Sequence, residues 1–232
     1  MRVRSALALA GLFHAAPAVT FLPGLRRRLF PTLAGMGDPG HVALTFDDGP
    51  SPYSTPLFLD LLRERQVTAT FFLLGSQVAQ APDVAREIVR DGHEVAVHGW
   101  DHRCLLAKGP RKTLDELRKA RETVEAVTGA RPRWFRPPYG VFSTASLLCM
   151  RSLELTPVLW SAWGFDWTRR ATGESVHRRV CRDLAGGGTI LLHDSDVAAY
   201  PLAWRSTLDA VPRVLDECER RGLTMGPLRD HW

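Results

Sequence analysis

Val42-Ala43-Leu44-Thr45-Phe46-Asp47-Asp48-Gly49-Pro50 is the stretch on which the fold reading turns. A short, mostly apolar run such as Val42–Phe46 reads as a buried parallel strand. It ends in two carboxylates and a Gly-Pro turn signal. Working outward, six more runs share its strand character: Thr68–Leu74, His93–His98, Arg133–Arg136, Pro157–Ala162, Thr189–Leu192 and Gly222–Met225. Helical patterns fall between them. Thr113-Leu114-Asp115-Glu116 has the form of a capping box, Leu114, Leu117, Val124 and Val127 make one face, and Gly129 supplies a stop. Asp83 is expected to cap a second helix through Val84, Ile88 and Val89. Val176, Val180 and Leu184 mark a third. A last helix carries Leu208, Val211 and Leu215, with Pro212 predicting a late start or a kink.

Alternating strands and helices imply a parallel sheet covered by helices. Seven strands in about 190 residues suit a distorted, incomplete (β/α)7 barrel, short of the usual eight-stranded size. An open doubly wound sheet is the other arrangement. In both, functional sites gather at the carboxyl ends of the strands. The division expected is an N-terminal extension over residues 1–40 and a catalytic domain over 41–232.

Five polar segments follow strand-like runs. Asp47 and Asp48 point in different directions at a strand end, so one could bind a metal while the other stays free as a base. Turn chemistry alone would favour the same residues. His98 and His102 are four apart, a spacing that puts both imidazoles on one face of a helical turn. With Asp48 they make two imidazoles and one carboxylate, the donor set of a catalytic metal with open positions. Arg136, stiffened by Pro137 and Pro138, could hold Asp47 ionised. His193 could protonate a leaving group, with Asp166 as its partner and Trp167 as a wall. Asp194 reads as a helix cap. Each segment alone has a bland explanation in turn or packing chemistry. The bland explanations do not predict all five at strand ends.

Composition adds bounds. The apolar share is 45% and the formal charge +5, carried by 27 Arg and 3 Lys. No nucleic-acid motif accompanies that charge. Cys104, Cys149, Cys181 and Cys218 lack C-x-x-C spacing, which argues against a cysteine zinc site and leaves thiols or disulfides open. Arg2 and Arg4 precede an apolar stretch, Ala6 to Ala16, that fits a targeting segment or an ordered extension equally. If residues 1–20 target the chain, it is extracellular or membrane-associated; otherwise it is cytoplasmic.

These motifs together resemble the polysaccharide deacetylases, the carbohydrate esterase family that shares the chitooligosaccharide-deacetylase homology domain. Thr45–Pro50 matches T-F-D-D-G-P, and His98–His102 follows H-[ST]-x-x-H at every position but 99. Arg136–Tyr139, Asp166-Trp167 and Leu191–His193 follow in order, and the resemblance covers about residues 41–227. It implies removal of N-acetyl groups from amino sugars by a divalent metal, zinc first, with cobalt or nickel as alternatives. It implies Asp47 as base, and Asp48, His98 and His102 as ligands. Arg136 would steady Asp47, and the Tyr139 N–H would bind the oxyanion. His193 would be the acid, tuned by Asp166, with Trp167 and Trp163 on the substrate wall. Two residues depart from the pattern: Gly99 stands where Ser or Thr is usual, and Trp163 where many members carry Asp. The expected partner is a carbohydrate, with membrane association through the N-terminal segment as an option, and the chain is expected to be a monomer. An O-acetyl esterase or small-molecule amidase on the same scaffold, or a sugar-binding relative without turnover, are the rival readings.

Overall fold

In a computed structural model describing residues 2–232, the chain opens with α1 (Arg2–Ala15), a 3-10 turn (Ala16–Phe21) and α2 (Pro23–Leu29). There follow β1 (His41–Asp47), α3 (Thr55–Glu64), β2 (Thr70–Leu73), α4 (Gly75–Gln80), α5 (Pro82–Arg90) and β3 (Glu94–Val97). Next come α6 (Pro110–Thr128), β4 (Trp134–Phe135), α7 (Thr144–Ser152), β5 (Thr156–Pro157) and β6 (Ala162–Trp163). Then come α8 (Gly173–Asp183), β7 (Thr189–His193), α9 (Trp204–Arg220) and β8 (Thr224–Gly226), followed by a 3-10 turn (Leu228–Asp230).

All strand pairs are parallel, in the order β5-β4-β3-β2-β1-β7-β6. The sheet is the curled, incomplete barrel expected, with helices outside. β8 pairs with the start of β1 through His41–Ala43, below the stretch that pairs with β2. The run Pro157–Ala162 does not form one strand. It splits into β5 and β6, the two ends of the sheet path, joined by Val158–Ser161. That makes eight strands among the described residues where seven were expected.

Strand alternation sorts the residues between the two faces. Val42, Leu44 and Phe46 point outward into the main core with Phe58, Phe71, Ile190 and Leu192. Phe46 stacks on Phe71 at 5.1 Å and meets Phe58 edge-on at 5.2 Å. Ala43 points the other way, into an inner cluster with Phe72, Ala96 and Trp134. By the same period of two, Thr45 and Asp47 continue the inner face of β1, His98 follows Ala96, and Arg136 follows Trp134. The barrel interior thus turns from apolar to polar towards the carboxyl ends of its strands.

Several expected helix starts shift. Gly109 is the N-cap of α6 and Pro110 its first residue, so Thr113 lies inside the helix with no capping bond. Proline is well suited to a first helical position, since it lacks a donor that would go unused there. For the same reason α5 begins at Pro82 rather than being capped by Asp83, which instead pairs with Arg86 at 2.5 Å. α9 runs from Trp204 straight through Pro212, so a late start is excluded. Gly129 ends α6 in the left-handed region, φ 71°, as expected. The four cysteines are free thiols.

Candidate active site

Parallel register brings the expected segments to one mouth. Asp47 on β1 is level with His193 on β7 and with Phe72 on β2. Val97 on β3 is level with Phe135 on β4, so His98 and Arg136 leave the sheet side by side. The His98 Nδ1 contacts the Arg136 carbonyl at 2.8 Å. A carbonyl only accepts, so Nδ1 carries the proton and Nε2 keeps its lone pair.

Asp48 turns away from Asp47 because its backbone adopts φ 78°, a region aspartate tolerates better than most residues. Its Oδ1 lies 3.3 Å from the Nε2 of both His98 and His102. The His98 and His102 rings converge through the loop Gly99–Asp101, not through a helical turn as the spacing suggested. Gly99 takes φ 100° and His102 φ 28°. A left-handed residue at position 99 favours glycine, which accounts for the departure from Ser or Thr there.

The donors Asp48, His98 and His102 all lie within 4.8 Å of one another. Asp48 Oδ1 and His102 Nδ1 are buried and have no well-directed hydrogen bond among the described residues. A buried, unpartnered carboxylate oxygen facing two imidazole nitrogens is costly unless a cation sits between them. The donor set therefore fits a divalent ion. Burial alone would raise the Asp48 pKa. The His98 contact and the charge of nearby His193 outweigh it and hold the carboxyl down at about 2. Burial pushes His102 down to about 4, so it is neutral and able to ligate near neutral pH.

Arg136 is completely buried. It donates to Asp47 Oδ1 at 2.6 Å, to Thr45 Oγ1 at 2.8 Å and to the Leu159 carbonyl at 2.8 Å. The free Asp47 Oδ2 lies 3.8 Å from His98 Nε2. One oxygen is thus fixed by the guanidinium while the other faces the donor cluster.

Across the pocket, His193 Nδ1 meets Asp166 Oδ1 at 2.9 Å. Asp166 Oδ2 accepts from the His193 backbone N–H at 2.7 Å and from the Thr207 hydroxyl at 2.8 Å. Burial opposes a charged His193. The Asp166 carboxylate and its hydrogen bond prevail and raise the imidazole to about 10. Trp167 meets its ring edge-on at 5.6 Å. Tyr139 stands at φ 61° with its ring 4.5 Å from that of His102.

Asp47, Asp48, His98, His102, Tyr139, Trp163, Trp167 and His193 all line one cavity of about 240 Å³. Arg136 and Asp166 stand behind it. Asp194 is not a helix cap. Its backbone carbonyl accepts from Ser54 Oγ at 2.6 Å and its carboxylate from the Thr55 hydroxyl, tying β7 to the start of α3. Burial raises its pKa to about 7.

Three contributors escaped sequence reading. Trp160 lines the cavity from the β5–β6 connection, and Thr207 reaches Asp166 from α9. Neither belongs to a motif. Phe21 lines the cavity from the N-terminal segment and meets Trp163 edge-on at 6.3 Å. Arg26 fixes that segment. It is buried and donates to the carbonyls of Trp160 at 2.6 Å and Thr20 at 2.9 Å. An arginine in a basic run gave no sign of this, because the same run reads as a solvated cluster.

Comparison with known proteins gives a consistent result. The family model described as polysaccharide deacetylase matches residues 34–158. A chitooligosaccharide deacetylase of Bradyrhizobium sp. (strain ANU 289) is 36% identical over 198 residues, covering 81% of this chain and 88% of the relative. The peptidoglycan-N-acetylglucosamine deacetylase PgdA of Listeria monocytogenes is 37% identical over 153 residues, 66% of this chain but only 32% of that longer protein. The crystal structure of the peptidoglycan N-acetylglucosamine deacetylase Bc1960 superposes with a TM-score of 0.79 at 27% identity, covering 85% of this chain and 91% of that one.

Proposed function

This chain belongs to the polysaccharide deacetylase family, and we propose from its pocket that it hydrolyses the N-acetyl group of a GlcNAc-type amino sugar, releasing acetate and a free amine. The observation that carries the reading is the unpartnered Asp48 Oδ1 facing two imidazoles, with a second carboxylate, Asp47, beside it and a charged imidazole opposite.

Asp48, His98 and His102 would hold a divalent ion. We assign zinc, which suits two imidazoles and one carboxylate; cobalt and nickel suit the same donors. Held there, such an ion would supply Lewis-acid polarisation of the acetyl carbonyl and a lowered pKa for a water. Asp47 accepts the proton of the attacking water, and Arg136 keeps its carboxylate oriented. The Tyr139 N–H donates to the oxyanion as the tetrahedral centre forms, a contact type worth about 3 kcal/mol. His193 transfers its proton to the departing nitrogen, so the C–N bond breaks to give a neutral amine. The Asp166 carboxylate favours the charged imidazole and, once that proton has left, holds the neutral ring with its remaining proton on Nδ1. Trp163 and Trp167 wall the site against water.

Acetate release from N-acetylglucosamine oligomers, measured beside O-acetylated sugars, tests this reading. The wild-type protein should release acetate and amine in equal amounts from the N-acetyl substrate. Asp47→Asn should lose about 10²-fold or more in kcat while retaining its metal. Undiminished turnover by that variant, or release from esters alone, would overturn the assignment.

A further inference from the structure

The N-terminal segment has an outer face unlike the rest of the molecule. Of the sixteen exposed large apolar side chains among the described residues, eight fall between Leu9 and Phe30. In α1, Leu9, Leu12 and Phe13 are spaced i, i+3, i+4, so they share one outward stripe, each about two-thirds exposed. Leu22, Leu29 and Phe30, at and beside α2, are exposed as well, and Arg27 and Arg28 stand exposed among them. The sequence holds no Asp or Glu before Asp38. A soluble surface rarely leaves so much apolar area uncovered without an occupant.

We propose that this face docks on an anionic lipid surface and holds the mouth of the pocket against it. Exposed apolar side chains that enter the headgroup region, with arginines beside them to meet anionic lipid, bind such a surface by burial and charge together. Charge argues against a second copy as occupant: the chain carries +5 overall, and two copies of a segment with no acidic residue before Asp38 would repel. A segment lying along the surface is the geometry that fits these helices. No single helix among the described residues is long and apolar enough to span a membrane, and Ala8–Phe21 with Pro23–Leu29 pass that test only together, across a 90° bend. Buried Arg26 also ties α2 to Trp160 in the catalytic domain.

Phe21 links docking to chemistry. It lines the pocket, and its neighbour Leu22 belongs to the exposed face, so the pocket opens next to the docking surface. The substrate class that fits is an N-acetylated amino sugar carried on a lipid or held at the headgroup level. The sugar in that statement rests on the proposed deacetylase activity; the docking does not.

Vesicle co-sedimentation of the full chain tests the inference. Phosphatidylglycerol-rich vesicles should pellet the wild-type protein, and the triple variant Leu22→Ser/Leu29→Ser/Phe30→Ser should remain in the supernatant. Arg27→Gln/Arg28→Gln should weaken binding about tenfold or more, from the contribution of each arginine at an anionic surface. Both variants should keep wild-type acetate release from a soluble oligomer, which shows that the fold and pocket are intact. Wild-type protein left in the supernatant, or variants that pellet as well as wild type, would overturn the docking. A dimer dissolved by the triple variant, without vesicle binding, would give the face to a second copy and equally overturn it. Vesicle binding without acetate release from any substrate would leave the docking standing and refute the deacetylase reading instead.

Discussion

Asp47 and Asp48 are adjacent in sequence and face different tasks because the backbone reverses between them. Asp47 closes β1 with its side chain inside the barrel, where Arg136 holds one oxygen. Asp48 enters the left-handed region and aims its carboxylate at two imidazoles. Opposite them, His193 titrates at about 10 only because Asp166 outweighs the penalty of burial. Its folded pKa lies above the ordinary 6.5. The pair's contribution to stability is therefore fully present below about pH 6.5 and is lost as the pH rises towards about 10. Asp166→Asn removes the charge and keeps the shape. The alkaline limb of the rate profile should move down by about one to three pH units, read from kcat/KM against pH. An unmoved limb would mean that another group sets it. The roles of these residues were suggested in the sequence by residue type at strand ends. Thr207 was not, because a threonine on a distant helix reaches Asp166 only after α9 has packed.

At the scale of elements, β1 shows why so much of the fold was legible. Its apolar run is buried throughout, and its alternation sends Phe46 to the core and Asp47 to the cavity. The two-residue strands β5 and β6 were beyond the pattern, since periodicity needs more residues than each contains. The His98–His102 pair was correctly brought together for an incorrect local reason: a loop with a left-handed glycine replaces the helical turn. Helix starts shifted where proline, rather than Thr113 or Asp83, set the first turn. Packing between elements supplies a test. A Cβ at Gly75, the first residue of α4, would stand 2.9 Å from the Ala120 Cα on α6 and 2.7 Å from the Trp100 ring. Gly75→Ala must push α4 from α6 or displace Trp100 from the loop that carries His102. Overpacking of this kind costs about 1–3 kcal/mol, to be read from the denaturant midpoint at unchanged m-value.

For the whole molecule, the parallel register decides function by collecting polar residues from β1, β3, β4 and β7 at one end of the barrel. The N-terminal segment adds Phe21 to that end, and Arg26 fixes the segment to Trp160. Sequence alone left that segment open between a targeting signal and an extension, since neither a basic start nor an apolar run records what it packs against. The convergence of Asp48, His98 and His102 on one cation is the point on which the chemistry depends. Metal content by elemental analysis tests it most directly, on wild-type protein and on Asp48→Ala and His98→Ala variants confirmed folded by circular dichroism. The expected result is about one divalent ion per chain in the wild type, absent from both variants. A wild-type chain without metal after zinc or cobalt reconstitution, or folded variants that still bind it, would contradict the site.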